Sequence, residues 1–445
     1  MAQSRYSLPT ASRAADVLNR QLQAVESDIQ AGRLAEAAQS LNELVRAHPK
    51  EGSVYVAGWM LANKTGNLEA AYQSAARAVE LAPRSGTAHF CLAETEHRRG
   101  ELEAARASIE QAVTLAPGVL QFRELAVNIA HAQLDYAFAE KQQRAAFAIN
   151  KSIPGIQTMI GHSLRLQGKF EPSATWLNDA IALDPDDANA HHELAMVAYA
   201  LDDTALAQRH INEALRVRPQ DDEFVYLQAV LSGNTPAHPP ESVVGNLFDR
   251  SASHYDAQQV GKLNYLLPSL IAQKILAHFP DRNINLLDLG CGTGLLGAAL
   301  GTINGYFVGV DLSLPMIDEA KKHNLYSRFH HVNLLDALDA TDGNEFEVIV
   351  AADVFTYVGE LDAAIGNAFK VLKAGGWLYF SCESAPDNGA DYVLGKSMRY
   401  AHSTRYVTRL LKAAGFARPT IDAIDLRTDE TTLIPGYLVS VQKPA

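Results

Sequence analysis

The chain has 445 residues, 47% of them hydrophobic, and a formal net charge of -13. This length suits two or three domains. Its three cysteines, Cys91, Cys291 and Cys382, lie at least about 90 residues apart and form no C-x-x-C pair, which excludes a disulfide framework or a zinc knuckle. Residues 1–235 hold 21 basic against 28 acidic side chains and the remainder 17 against 23, so neither half attracts nucleic acid or an anionic membrane. No apolar run of about 18 residues offers a membrane span, and the first ten residues have no apolar stretch of the kind a secretory leader carries. A cytoplasmic protein without nucleic-acid, membrane or metal partners is expected.

The first half is periodic. GRLAEAAQSLNELVRAHP from Gly32, GNLEAAYQSAARAVELAP from Gly66 and GELEAARASIEQAVTLAP from Gly100 align without a gap, with glycines 34 apart and Pro49, Pro83 and Pro117 also 34 apart. The phase continues at Gly168 with Pro185 and at Asp202 with Pro219; Leu134 and Lys151 mark a degenerate fourth copy. Ala37, Ala71, Ala105, Ala139 and Ala207, with Ser173, follow each turn by five residues. Glycine permits a tight turn between antiparallel helices, the small residue lets them approach, and proline ends the second helix. This 34-residue pattern resembles the tetratricopeptide (TPR) family. About six copies and a capping helix in DDEFVYLQAVLSG are expected over residues 16–232, after a flexible N-terminus of 15 residues. The fourth copy, lacking both turn glycine and proline, is expected to bend or lengthen its helices. In that family the first helix of each repeat lines a concave groove. The resemblance therefore puts Asn63, Lys64, His97, Arg98, Asn128, His131, His162, Arg165, His192 and Tyr199 on it. Basic and amide donors there suit an acidic or carboxylate-bearing peptide.

Residues 233–243, rich in proline, read as a linker. Beyond it, strand-like runs at Asn285–Leu289, Tyr306–Val310, Glu347–Ala351 and Trp377–Ser381 alternate with helical patterns. Weaker runs occur near Phe329–Val332, Thr420–Asp425 and Gly436–Val441. Such alternation predicts a parallel sheet with helices on both faces and a ligand beyond the carboxyl ends of the strands.

The first strand runs into LLDLGCGTGLLG. Gly290, Gly292 and Gly294 leave room for a ligand against the backbone, and the next helix offers its N-terminal N–H groups. The string also satisfies the dinucleotide fingerprint through Gly292, Gly294 and Gly297. Asp288 precedes the glycines, and Asp311 ends the second strand, 17 residues after Gly294, where a carboxylate can accept from both ribose hydroxyls. These residues resemble the class I S-adenosylmethionine (SAM) dependent methyltransferases. That resemblance implies a Rossmann-like seven-stranded sheet with its last strand antiparallel, over residues 244–445. It also implies SAM bound by the loop Gly290, Cys291, Gly292 and Gly294, by Asp288, by Asp311 with Leu312, by Leu335 with Asp336 at the adenine, and by Ala352 and Asp353 beside the cofactor. LFDRSASHYDAQQVGKLNY and RYAHSTRYV resemble bacterial TPR-containing members, in which Tyr255 would touch the SAM carboxylate.

Methyl transfer needs alignment and water exclusion more than a covalent nucleophile, and a base only for a protonated acceptor. The candidate bases are Asp353, Glu383 and His402, with Arg399 and Tyr400 as acceptor ligands. Ser403 is the alternative, structural feature of the same stretch: a helix N-cap. Cys291 and Cys382 read as small packing residues. The function expected is methyl transfer to a protein or peptide recruited by the repeats. One alternative is a small-molecule or glycan acceptor, with the repeats serving homodimerisation or docking. Another is a non-catalytic SAM-binding scaffold.

Overall fold

The computed structural model describes residues 10–249, 252, 255, 265–386, 389–429 and 432–445. Residues 1–9 of the expected flexible N-terminus lie outside these, as do residues 250, 251, 253, 254 and 256–264 of the stretch that contains Tyr255. By their packing the residues divide into two units, 1–176 and 177–445.

Six helix pairs run in succession: α1 (Thr10–Gln30) with α2 (Leu34–Ala47), α3 (Gly52–Lys64) with α4 (Leu68–Leu81), α5 (Gly86–Arg98) with α6 (Leu102–Leu115), α7 (Leu120–Ala132) with α8 (Tyr136–Ile149), α9 (Ile156–Leu166) with α10 (Phe170–Leu183), and α11 (Ala188–Ala200) with α12 (Thr204–Val217). A thirteenth helix, α13 (Asp222–Leu231), comes next. The period is written in the backbone. Positions 32, 66, 100, 134, 168 and 202 all have positive φ, although Leu134 and Asp202 stand where the others have glycine. The six small residues five positions on are all fully buried, because there the two helices of a pair touch. In the fifth pair the serine hydroxyl adds a bond, Ser173 Oγ to Gly161 O at 2.6 Å. The fourth pair neither lengthens nor shortens: α7 and α8 have 13 and 14 residues, like α5 and α6. Its degeneracy appears one step later. Without a proline at position 151 the chain loops through Asn150–Gly155, and α9 has only 11 residues.

The segment 232–240 is non-helical, and helix resumes at α14 (Glu241–Asp249). Two bonds tie this segment to residues much further along the chain. Gly359 N donates to Ala237 O at 2.7 Å, and the Tyr400 hydroxyl donates to Pro236 O at 2.7 Å. Next come α15 (Leu267–His278), β1 (Leu286–Leu289), α16 (Leu295–Leu300), β2 (Phe307–Asp311), α17 (Leu314–Lys321), β3 (Arg328–His331), α18 (Leu334–Ala340), β4 (Phe346–Ala351), α19 (Asp362–Val371) and β5 (Leu372–Ser384). Two short strands, β6 (Tyr392–Leu394) and β7 (Tyr400–His402), precede α20 (Thr404–Ala414), β8 (Thr420–Asp429) and β9 (Thr432–Gln442).

The order is β3-β2-β1-β4-β5, all parallel; β9 pairs antiparallel with β5, and β8 with β9. These are the seven strands expected. β6 and β7 are additional: β7 pairs with the carboxyl end of β5, and β6 with β7. Side chains alternate across the sheet. Leu286, Val348 and Val350 face Ile271, Ile275 and Leu300 on one side. Leu287, Leu289, Ile349 and Ala351 face Phe355, Ile365 and Leu410 on the other. With helices on both faces the central strands are apolar throughout, and the one acid within β1, Asp288, is buried.

Candidate active site

The carboxyl ends of β1, β2 and β4 open onto a crevice of about 870 Å³, lined among others by Tyr255, Gly290, Gly292, Asp311, Leu312, Leu335, Ala352 and Asp353. An adjoining hollow shares Tyr255, Gly290, Gly292 and Ala352 with it and adds Asp288 and Cys291. Eight of the twelve residues expected around a cofactor thus line the main crevice, and Asp288 and Cys291 line its inner end.

The glycine loop is open by construction. Gly290, Gly292 and Gly294 all have positive φ, which L side chains rarely adopt. A Cβ on Gly290 would collide with Val354, and one on Gly294 would press on Ala320 at 3.1 Å. A Cβ on Gly292 would meet nothing within 4 Å: it would point into the crevice. Gly294 itself supports the loop from behind.

Asp311 fastens this loop to the tip of β2. Its Oδ2 accepts from Gly292 N at 2.8 Å and its Oδ1 from Ser313 N at 2.9 Å. Burial raises its pKa, against the pull of those N–H groups. Each oxygen keeps a second lone pair for a ligand hydroxyl. Asp288 is pushed up to about 7 by burial, and the Asp311 charge adds to that shift, while the Tyr326 hydroxyl, donating at 2.7 Å, opposes it. Cys291 lies beneath the loop, buried and with its thiol raised by burial, as a packing residue does.

Asp336 is displaced from its expected place. It is exposed and lines a separate cleft with Arg328 and His330. Asn333, Leu334 and Leu335 face the crevice instead, because Asn333 caps α18 by accepting from Leu335 N at 2.7 Å, which turns the next acid outward.

The three candidate bases differ in fate. Asp353 lines the crevice with a positive φ of 57°, but its carboxylate is held by Arg427 at 2.6 and 2.8 Å. The same guanidinium grips Glu383, which also accepts from Thr356 Oγ1 at 3.0 Å. Burial opposes the charge on Arg427, and Asp353 and Glu383 overcome it, so its pKa is raised. Both carboxylates therefore serve an internal ion pair. His402 is fully buried in β7, bonded through Nε2 to Gly359 O at 2.9 Å, with its pKa lowered to about 4 by burial. It lines neither hollow and is a core residue rather than a base. Tyr400 is likewise buried, its hydroxyl spent on Pro236 O and on the Tyr226 hydroxyl at 3.3 Å. Ser403 caps α20 by accepting from Tyr406 N at 3.2 Å.

Sequence reasoning missed Arg427. Its signal was a lone arginine in a strand with acids elsewhere on it. The register shifts between Asp425 and Arg427, so consecutive Leu426 and Arg427 are both buried, and simple alternation would have put one of them outside. It also missed Tyr357 and Glu241, which line the crevice.

Within the first unit the polar candidates sit on α3, α5, α7 and α9. Arg98 donates to Asn63 Oδ1 at 2.5 Å, and His131 stacks on His162 at 6.0 Å. Lys64 and Asn128 are exposed, Arg165 half-buried.

A glycine loop and an acid at the tips of adjacent parallel strands, with a β5–β9–β8 antiparallel margin, define a methyltransferase domain, and such a domain takes S-adenosylmethionine. The sequence agrees: residues 287–378 match the family model for a methyltransferase domain, and residues 61–119 and 161–202 match models for tetratricopeptide repeats. The chain carries both. Among curated relatives, the ubiquinone biosynthesis O-methyltransferase of Hydrogenovibrio crunogenus is 28% identical over 160 residues, covering 35% of this chain and 64% of that one. That of Mesorhizobium japonicum is 29% identical over 182 residues, covering 36% and 72%. The chain thus spans less than two thirds of the length of the first of these. Solved structures with a likeness include the Burkholderia thailandensis 1,6-didemethyltoxoflavin-N1-methyltransferase (17% identical, 48% of this chain, 93% of that one, TM-score 0.36). Another is the TPR protein YrrB (14%, 42% and 96%, TM-score 0.39).

Proposed function

We propose that the protein transfers a methyl group from SAM to a small molecule bearing a nucleophilic oxygen or nitrogen. The observation that carries the first part is the open face of Gly292 beside Asp311. That concave backbone with an acceptor-only side chain suits a nucleoside. The glycine loop and Asp288 would hold the amino-acid end, Asp311 the ribose, and Leu312, Asn333 and Leu335 the adenine. Bound there, SAM supplies a methyl group on a sulfonium, already activated for direct displacement. The protein's own part is to align the acceptor and exclude water. Tyr357, Phe248 and Val244 wall the crevice apolarly for that purpose. With Asp353 and Glu383 committed to Arg427, Glu241 and His238 are the titratable side chains of the crevice lining left to take a proton from the acceptor. The oxygen nucleophile is favoured by the names of the matched relatives.

TPR repeats serve protein–protein interaction in general, and we infer that this array does so here. Its cationic and amide side chains, Lys64, Arg98, Asn128, His131, His162 and Arg165, support an acidic peptide as the partner. If that partner is itself the methyl acceptor, label from methyl-labelled SAM appears in protein.

Calorimetry tests the donor site: the wild type binds SAM, and Asp311→Ala binds it more weakly by about 1–3 kcal/mol. Failure of the wild type to bind ends the proposal. Fractionating an extract after incubation with labelled SAM separates the acceptor classes: label in small molecules supports this reading, label in protein the peptide reading.

A further inference from the structure

Beside the crevice lies a second cleft of about 1460 Å³. Pro239, Val244 and Tyr357 line both, so the two adjoin along these side chains. The far wall of the second cleft is made by the last repeat and the helix after it: Met196 of α11 and Tyr226 and Leu227 of α13. The near wall is Val243 and Val244 of α14, Tyr357, and Met398 with Arg399 from the turn before β7.

Two properties of these walls bear on what fits between them. About half of the side chains are apolar or aromatic, and two of them are methionines able to adapt to an irregular body. The charged groups are mostly acids at the start of α13. Asp221 caps that helix, accepting from Phe224 N at 3.3 Å, and pairs with Arg218 at 3.2 Å. Asp222 accepts from Ser242 Oγ at 2.7 Å, a neutral donor, and shares the first turn of α13 with Glu223, where the helix N-terminus favours an acid. Glu223 stands 60% exposed, with His192 3.8 Å away. Arg399 is the one lysine or arginine among the lining residues described; its charge faces the Asp353 carboxylate, and it is hydrogen-bonded to the neutral Tyr357 hydroxyl. A carboxylate entering this cleft meets the Asp222 and Glu223 carboxylates and, among the described residues, no free lysine or arginine.

We infer that this cleft is the acceptor site, that the last repeat and the helix after it form part of it, and that it takes an uncharged or cationic molecule with an apolar body. The acceptor's nucleophile reaches the methyl group past Tyr357, where the two hollows meet. The inference rests on the methyl-donor reading above and adds a substrate class to it.

Three phenols of one size test it: tyramine (cationic), tyrosol (neutral) and 4-hydroxyphenylacetate (anionic). Each is titrated calorimetrically into the full-length protein saturated with S-adenosylhomocysteine. Tyramine and tyrosol are expected to bind at least tenfold more tightly than 4-hydroxyphenylacetate. Met196→Trp, which narrows the cleft at its α11 wall, should weaken both at least tenfold while S-adenosylhomocysteine affinity stays within twofold. Glu223→Lys, on an exposed position that leaves packing intact, should bring 4-hydroxyphenylacetate to the affinity of tyramine. Tyrosol binding unchanged in Met196→Trp, equal affinity for anion and cation in the wild type, or no binding of any phenol to the loaded protein overturns the inference. A wild type that does not bind S-adenosylhomocysteine breaks the methyl-donor reading, and this inference with it.

Discussion

Gly66, in the turn of the second helix pair, and Gly292, in the loop after β1, are alike locally. Both have positive φ, 73° and 53°, and an added Cβ would meet no atom within 4 Å at either. The difference lies in what the empty space is. At Gly66 it is solvent on an exposed turn; at Gly292 it is the crevice. The same residue in the same conformation turns a chain in one region and leaves the wall of a crevice bare in the other. Local conformation therefore does not separate a structural glycine from a binding one; the surface it faces does.

The contrast can be broken by substitution. The largest effect is expected away from both glycines, at Arg427→Met. It removes the shared partner of Asp353 and Glu383 and should cost about 3–5 kcal/mol of stability to denaturant, since two buried carboxylates lose their counter-charge. An unchanged midpoint would mean those acids are neutral in the fold. Gly292→Val should then lower SAM affinity at least 100-fold, about 2.7 kcal/mol, with helical circular dichroism unchanged; retained affinity would show that the open face is not where SAM lies. Asp288→Asn sharpens the comparison through pH. Burial holds the folded-state pKa of Asp288 near 7, above its unfolded value. Its contribution is thus fully present below the unfolded pKa and is lost as pH rises through about 7. The wild type should lose stability relative to Asp288→Asn between about pH 4 and 7; parallel curves would refute the shift. Gly66→Ala should cost least, roughly 1–2 kcal/mol for the left-handed backbone, with SAM affinity unaffected.

The repeats were legible in the sequence because every copy repeats one local solution: a turn, a small residue five positions on, a stop. The glycine loop and Asp311 were legible because a nucleoside needs bare backbone beside an acid, and that need leaves residue types at fixed spacing. Asp336, His402 and Arg427 were not. Asp336 turned outward because of a cap three residues earlier, a choice made by Asn333. His402 has the side chain of a base, but its neighbours in the fold, Gly359 and Tyr406, include one from distant sequence. Arg427 is inward through a one-residue register shift that no periodicity reveals. The second cleft was invisible for a related reason: its walls come from segments about 200 residues apart that only tertiary packing brings together.

Leu134 occupies a left-handed turn position that glycine fills in four of the six copies. A stack of repeats has only nearest-neighbour interfaces over which to spread such a burden. The strain at Leu134 and the irregular junction at Asn150–Gly155 lie in succession, so the array has a built-in seam at its centre. Heating is expected to loosen the array there first, which faster amide hydrogen exchange in α7–α9 than in α3–α6 would register.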